Sequence, residues 1–323
     1  VLGQYARAIV EPLAAACAEM GLEHPHVLTE SGRAMTAHHA VLVINVSEVE
    51  RAPIGEVTSA SADEPQVLRA LRATFAALDQ RPVLEVWHEA QHLLGEGHAL
   101  YAQGSLDLAQ RARLDDLYYA IAHGVRTRLK PEERAHREVL DQLDAKLVDK
   151  VFCNFSVFES IPDVWAIDQV FPIMPLTRLD EKPVRRGTLA DLTCDSDGRV
   201  DQYVDSEGLD VSLPLHELRE GQPYRLGIFL VGAYQETLGD IHNLFGDTDA
   251  VNVRIEGSTF KLDGLRRGDN SDMLLDYVGY RLDDLRAAYR EKLAKAGIDG
   301  DAARDFEAVL DAGLTGYTYL QET

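Results

Sequence analysis

Between Trp87 and Tyr101 the chain reads WHEAQHLLGEGHALY, and the spacing His88-Glu89-x-x-His92-x-x-Gly95-x-x-His98 is that of a hydrolytic zinc site. On a helix, His88 and His92 lie one turn apart and can face one metal ion, while Glu89 can take a proton from metal-bound water. His98 becomes a third ligand only if the helix breaks at Gly95 or Gly97. On an unbroken helix it points about 80° to one side of His88. The stretch therefore offers zinc-peptidase chemistry on one geometric condition. No Met-containing turn follows it, because Met174 sits in FPIMPLTRL, which reads as a strand flanked by prolines.

Other residues of chemical interest lie in three short stretches. Glu30, Gly32 and Arg33 occupy TESGR, which read alone is a turn with a surface ion pair. Cys194, Asp195 and Asp197 occupy CDSDG, which read alone is a hairpin turn after a small buried residue. Tyr234 occupies GAYQE, where a tyrosine ending a strand is most simply a core residue. The run HNLFGDT adds His242 and Asp247, which either line a site or fix a loop.

These residues must be positioned by a chain of 323 residues, long enough for two domains or one large domain with insertions. With 54 Asp+Glu against 32 Lys+Arg, the formal net charge of -22 opposes binding to nucleic acid or an anionic membrane; it suits cationic small molecules or serves only as a solubility device. No apolar run approaches the ~20 residues needed to span a bilayer. Cys17, Cys153 and Cys194 show no pairing or metal spacing, which points to a reducing compartment and a cytoplasmic address.

Along the chain the periodicity predicts four zones. An amphipathic helix, the Gly21 to Pro25 turn and a short strand HVLTE form one αβ unit over residues 1–35, of the kind that ends a barrel. Short β-rich runs with DSDG, DSEG and REGQP turns predict an antiparallel β-domain over 36–84 and 151–281. Helical periodicity, already present from about Pro65, predicts a helical insertion over 85–150, and a helical segment closes the chain over 282–323.

Five stretches in this order, TESGRAMTAHHAVLV, FCNFSVFESIPDVWAIDQVFPIMPL, DLTCDSDGRVDQYVD, FLVGAYQETLGDIHNLFGDTDAV and AGLTGYTYL, resemble the biosynthetic arginine decarboxylases. These are pyridoxal 5'-phosphate enzymes of the alanine racemase and ornithine decarboxylase fold type. The resemblance implies an α+β chain. It would comprise the end of a (β/α)8 barrel, a sandwich- or barrel-like antiparallel β-domain, a helical-bundle insertion and C-terminal helices, together the C-terminal half of such an enzyme.

It further implies conversion of L-arginine to agmatine and carbon dioxide, with pyridoxal phosphate and Mg2+ as cofactors. Glu30 is then the partner of the cofactor ring nitrogen, Gly32, Arg33 and Tyr234 hold its phosphate, Cys194 returns a proton to Cα, and Asp195 and Asp197 receive the guanidinium. No residue is assigned to a metal. The same resemblance implies a homodimer or higher homo-oligomer whose sites are shared between subunits. The lysine that holds the cofactor aldehyde has no candidate here, since the chain has seven lysines and none precedes Lys130. Zinc peptidase chemistry through His88, Glu89, His92 and His98 is the competing reading.

Overall fold

A computed structural model of the protein describes residues 2–61, 63–205 and 208–321. Helix α1 (Leu2–Met20) is followed by residues 22–31, which lack regular structure, and then by the short helix α2 (Gly32–Thr36). The expected strand HVLTE does not form. A strand needs a partner for its backbone N–H and C=O groups, and this segment pairs with no strand among the described residues. Leu28 is 96% exposed there. The segment is tied instead through the Tyr5 hydroxyl of α1, which donates to Ser31.

Strand β1 (Val41–Glu50) is the centre of the main sheet and changes partner half-way along its length. A bulge between Val46 and Glu48 marks the region where it turns toward its second partner. Four helices then intervene: α3 (Gln66–Ala76), α4 (Val83–Ala102), α5 (Leu108–Arg126) and α6 (Arg134–Lys146). They share one core that includes Leu68, Leu71, Trp87, Leu114, Ile121 and Leu143, so the packing of the bundle begins with α3, ahead of residue 85. The start of α5 is set by a reciprocal cap in which Gln110 N–H donates to Asp107 Oδ1 and Asp107 N–H to Gln110 Oε1, at 2.7 and 2.9 Å.

The chain re-enters the sheet at β2 (Asp149–Cys153), passes through α7 (Val157–Ser160) and α8 (Pro162–Ile167), and adds β3 (Ile173–Pro175) and β4 (Arg185–Ala190). Strands β5 (Arg199–Val200), β6 (Tyr203–Asp205), β7 (Gly208–Asp210), β8 (Leu213–Leu215) and β9 (Arg225–Phe229) follow. Among the described residues the main sheet has seven strands in the order β3-β9-β1-β2-β4-β5, with β8 also on β4, and it curls so that β3 comes close to β8. Ile44, Val151, Phe155, Leu189, Leu226 and Ile228 fill it.

The expected antiparallel pattern holds except between β2 and β4, which run parallel. Residues 154–184 supply the long crossover that parallel pairing requires. Within the expected DSEG turn, Ser206 and Glu207 lie outside the described residues. After β9 come α9 (Gln235–Leu238), the hairpin β10 (Ala250–Glu256) and β11 (Thr259–Arg266), and helices α10 (Ser271–Tyr277), α11 (Leu282–Lys295) and α12 (Gly300–Leu314). The last described residues fold back on the sheet. Leu320 N–H donates to Asn154 Oδ1 at 3.0 Å, Asn154 Nδ2 donates to Leu320 O at 2.8 Å, and the Tyr319 hydroxyl donates to Gly246 O at 2.7 Å.

Candidate active site

The zinc-like stretch fails its geometric condition. Helix α4 runs through Gly95 and Gly97 without a break. Gly97 is buried where α4 meets α5, and a Cβ there would overlap the Leu114 side chain, so this glycine serves helix packing rather than a turn. His88 and His92 are exposed, Glu89 is paired with Arg81, and His98 turns to Asp115, with Nε2 to Oδ1 at 3.1 Å. Among the described residues no group of three or more His, Cys, Asp or Glu side chains could hold a metal ion.

Two clusters of side chains instead form around α7 and α8. The first gathers where α2 begins. Arg33 pairs with Asp163 of α8 at 2.5 Å, and its guanidinium carbon lies 4.8 Å from the centre of the Tyr234 ring. Asp163 is buried and is fixed by Gln235, whose Nε2 donates to Asp163 Oδ2 at 2.7 Å and whose Oε1 accepts from Asp163 N–H at 3.2 Å. A Cβ on Gly32 would overlap the Tyr234 hydroxyl. Tyr234 has φ 71°, a left-handed conformation that a bulky residue adopts only when its surroundings enforce it. Gly32, Arg33 and Tyr234 therefore meet around one small cradle. Arg33 lies within α2 and not at a strand end. Glu30 stands exposed in the segment before α2. Gly232 packs against His39 and the Thr36 carbonyl.

The second cluster is built on the loop between β4 and β5. Buried Asp191 holds the base of that loop: Oδ1 accepts from Thr193 N–H and Oγ1 at 2.8 and 2.7 Å, and Oδ2 accepts from Val157 N–H at 2.8 Å. Burial raises the Asp191 carboxyl above its usual range, although these donors oppose the shift. Cys194 is exposed beyond this anchor. Asn243 Nδ2 donates to Cys194 Sγ at 3.3 Å, and His242 Nε2 lies 3.4 Å from Asp195 Oδ2. The His242 ring also contacts Phe158 of α7, with centroids 4.5 Å apart. Asp195 Oδ1 caps its own turn by accepting from Asp197 N–H at 2.9 Å. Asp197 is exposed and lines a separate shallow cleft with Trp165, Asp168, Arg199 and Asp201. Cys194 and Asp195 are thus brought together with the HNLFGDT run, whereas Asp197 is not.

Beneath that run lies a third acidic group. Glu159 of α7 is buried against Gly239, and burial first, then the nearby Asp247, push its carboxyl up to about 7. Asp247 N–H donates to Asp269 Oδ2 at 2.9 Å. Asp163, Gln235, Asn243 and Glu159 did not stand out in the sequence as site residues. Gln235 adjoins Tyr234 and Asn243 adjoins His242, but the contacts join residues far apart in the chain, and nothing in their spacing announces them.

The helical region matches the arginine decarboxylase helical bundle domain over residues 61–144, and the end of the chain matches the arginine decarboxylase C-terminal helical extension over residues 272–320. The biosynthetic arginine decarboxylase of Xanthomonas campestris pv. campestris is 61% identical over 321 residues, 99% of this chain and 51% of that protein. That of Pseudomonas aeruginosa is 46% identical over 322 residues, 99% of this chain and 50% of that protein. The crystal structure of the biosynthetic arginine decarboxylase of Campylobacter jejuni superposes with a TM-score of 0.79 at 28% identity, covering 100% of this chain and 52% of that one. The chain is thus similar along 99% of its length to the biosynthetic arginine decarboxylases, and it spans about half the length of the curated relatives it matches.

Proposed function

We propose that this chain forms the C-terminal part of a pyridoxal phosphate-dependent decarboxylase that converts L-arginine to agmatine and carbon dioxide for polyamine synthesis. The observation that carries the proposal is 61% identity to a biosynthetic arginine decarboxylase along 99% of the chain. The cradle at Gly32 fits a phosphate. The Tyr234 hydroxyl lies against the Gly32 backbone, which only a residue without a Cβ allows, and the Arg33 side chain is 43% exposed, leaving donors of its fork beyond the one on Asp163. Bound there, pyridoxal phosphate supplies a protonated ring that takes up the electrons left when carbon dioxide departs.

The chain's own groups then have separate tasks. Arg33 and Tyr234 bind the phosphate, and Asp163 with Gln235 fixes the direction of Arg33. Glu30 keeps the ring nitrogen protonated. Cys194 delivers the proton to Cα, and Asp195 pairs with the guanidinium, while Asp197 faces the separate cleft beside Trp165 and takes no part in this site. Residues 1–35 belong to the end of the (β/α)8 barrel, β1 and residues 151–281 to the β-domain, the stretch from α3 to residue 150 to the insertion, whose core α3 shares, and 282–323 to the C-terminal segment. The enzyme is a homo-oligomer in which Glu30 and Cys194 of one chain serve different sites. A cytoplasmic location suits its three free cysteines and the absence, among the described residues, of any helix long and apolar enough to cross a membrane. Mg2+ is part of this reading, without a ligand among the described residues.

A protein of the relatives' full length that contains this chain, supplied with pyridoxal phosphate and offered arginine, ornithine and lysine, tests the proposal. Agmatine and carbon dioxide should form in equal amounts from arginine. Preference for ornithine or lysine would overturn the substrate assignment.

A further inference from the structure

We infer that Asn243 is a positioning residue for Cys194: its side-chain amide donates to the thiol sulfur and so aims the S–H proton away from the loop. The inference rests on the decarboxylase reading of Cys194. A thiol has one donor and a weakly accepting sulfur. With Nδ2 of Asn243 on the sulfur at 3.3 Å, the accepting side is occupied and the proton is left free to point outward from an exposed residue. The opposite amide orientation would place Oδ1 on the sulfur, and the S–H would then be spent on the loop.

The backbone explains why asparagine stands here. Asn243 has φ 58° and ψ 21°, and Leu244 has φ 59°. Asparagine enters this left-handed region readily and leucine does not, so the loop carries strain that its anchors must hold. Those anchors surround Asn243 on both sides. His242 N–H donates to Asp240 O at 2.7 Å, and Asp240 N–H donates to Phe158 O at 3.0 Å. Gly246 N–H donates to Thr318 Oγ1 at 3.2 Å, and the Tyr319 hydroxyl closes on Gly246 O. The His242 side chain meanwhile sits on Asp195 and Phe158. Asn243 is thus held over Cys194 by hydrogen bonds on both sides of it in the chain.

Two substitutions separate the amide from the backbone. Asn243→Asp keeps the shape and the left-handed tolerance but replaces the donor by an acceptor, and Asn243→Gly keeps the backbone and removes the side chain. In the full-length enzyme with pyridoxal phosphate and arginine, each should lower kcat about tenfold or more, and Asn243→Gly should leave KM and bound cofactor close to wild type. In a Cys194→Ala background, Asn243→Gly should change kcat by less than about twofold, because the two residues act as a unit. Wild-type kcat in both single variants, or an undiminished loss in the Cys194→Ala background, would overturn the inference.

A second readout does not depend on decarboxylation. Cys17 and Cys153 are buried, so alkylation of Cys194 by iodoacetamide can be followed on its own peptide. The amide holds the exposed sulfur in one orientation, and Asn243→Gly, which releases it, should slow labelling at one fixed pH several-fold. An unchanged rate overturns the contact even if the enzyme proves to act on another substrate. A slowed rate in a protein that never releases carbon dioxide from arginine would instead keep the contact and remove its catalytic meaning.

Discussion

Cys194 is the residue on which the proposed proton transfer turns. It lies exposed beyond the Asp191 anchor, next to Asp195. In the full-length enzyme, Cys194→Ala is expected to slow agmatine formation by about 10²–10⁴, the usual effect of losing a general acid, while bound pyridoxal phosphate is retained. Stopped-flow and cofactor absorbance measure both, and wild-type turnover would return CDSDG to a simple turn. A second prediction concerns Glu159, whose carboxyl is raised from 4.5 to about 7 by burial and by Asp247. A raised carboxyl favours the folded state below the unfolded value, and that stability is lost as pH rises through about 7. Denaturation midpoints should therefore fall between pH 5 and pH 8, and Glu159→Gln should remove part of that fall by raising the midpoint at pH 8. Identical pH profiles for the two proteins would contradict the assignment. At this scale, Gly32, Arg33 and Tyr234 were legible through the resemblance of TESGR and GAYQE, not through their own chemistry. Asp163 and Glu159 were not legible, because a buried acid is recognised only once the chain has covered it.

The elements were more legible than their junctions. The helical period before and after the histidines predicts α3, α4 and α5, and the β-rich runs predict β4 and β9. The break at Gly95 does not occur, since helix interiors tolerate glycine at about 1 kcal/mol relative to alanine and packing against α5 offsets that cost. Gly97→Val is therefore expected to destabilise the bundle by about 1–3 kcal/mol through overlap with Leu114. Urea unfolding reads the loss, and an unchanged midpoint would mean that α4 and α5 do not pack as described. For the same reason, protein purified without a histidine tag should hold far less than one zinc per chain. Stoichiometric zinc that disappears in His92→Ala would contradict the continuous helix. HVLTE illustrates a different limit. Its residues favour a strand, but strand formation depends on a neighbour, and local sequence does not say where the neighbour is.

At the scale of the whole molecule, the two clusters are joined through α7 and α8, which carry Phe158, Glu159 and Asp163 between the cradle and the cysteine loop. This arrangement places the two clusters on one connected segment even though, on the proposed subunit sharing, they serve different catalytic centres. Full-length proteins carrying Cys194→Ala and Arg33→Ala, each inactive alone, should recover about a quarter of wild-type activity when co-expressed, as random pairing leaves one intact site in each mixed dimer. No recovery would place both residues in one subunit's site. The most direct measurement uses arginine labelled in its carboxyl carbon, given with pyridoxal phosphate to the full-length protein and, in parallel, to the 323-residue chain. The full-length protein should release the label as carbon dioxide while forming agmatine, and the chain alone should release none. Sustained release by the chain alone, or none by the full-length protein, would contradict the assignment.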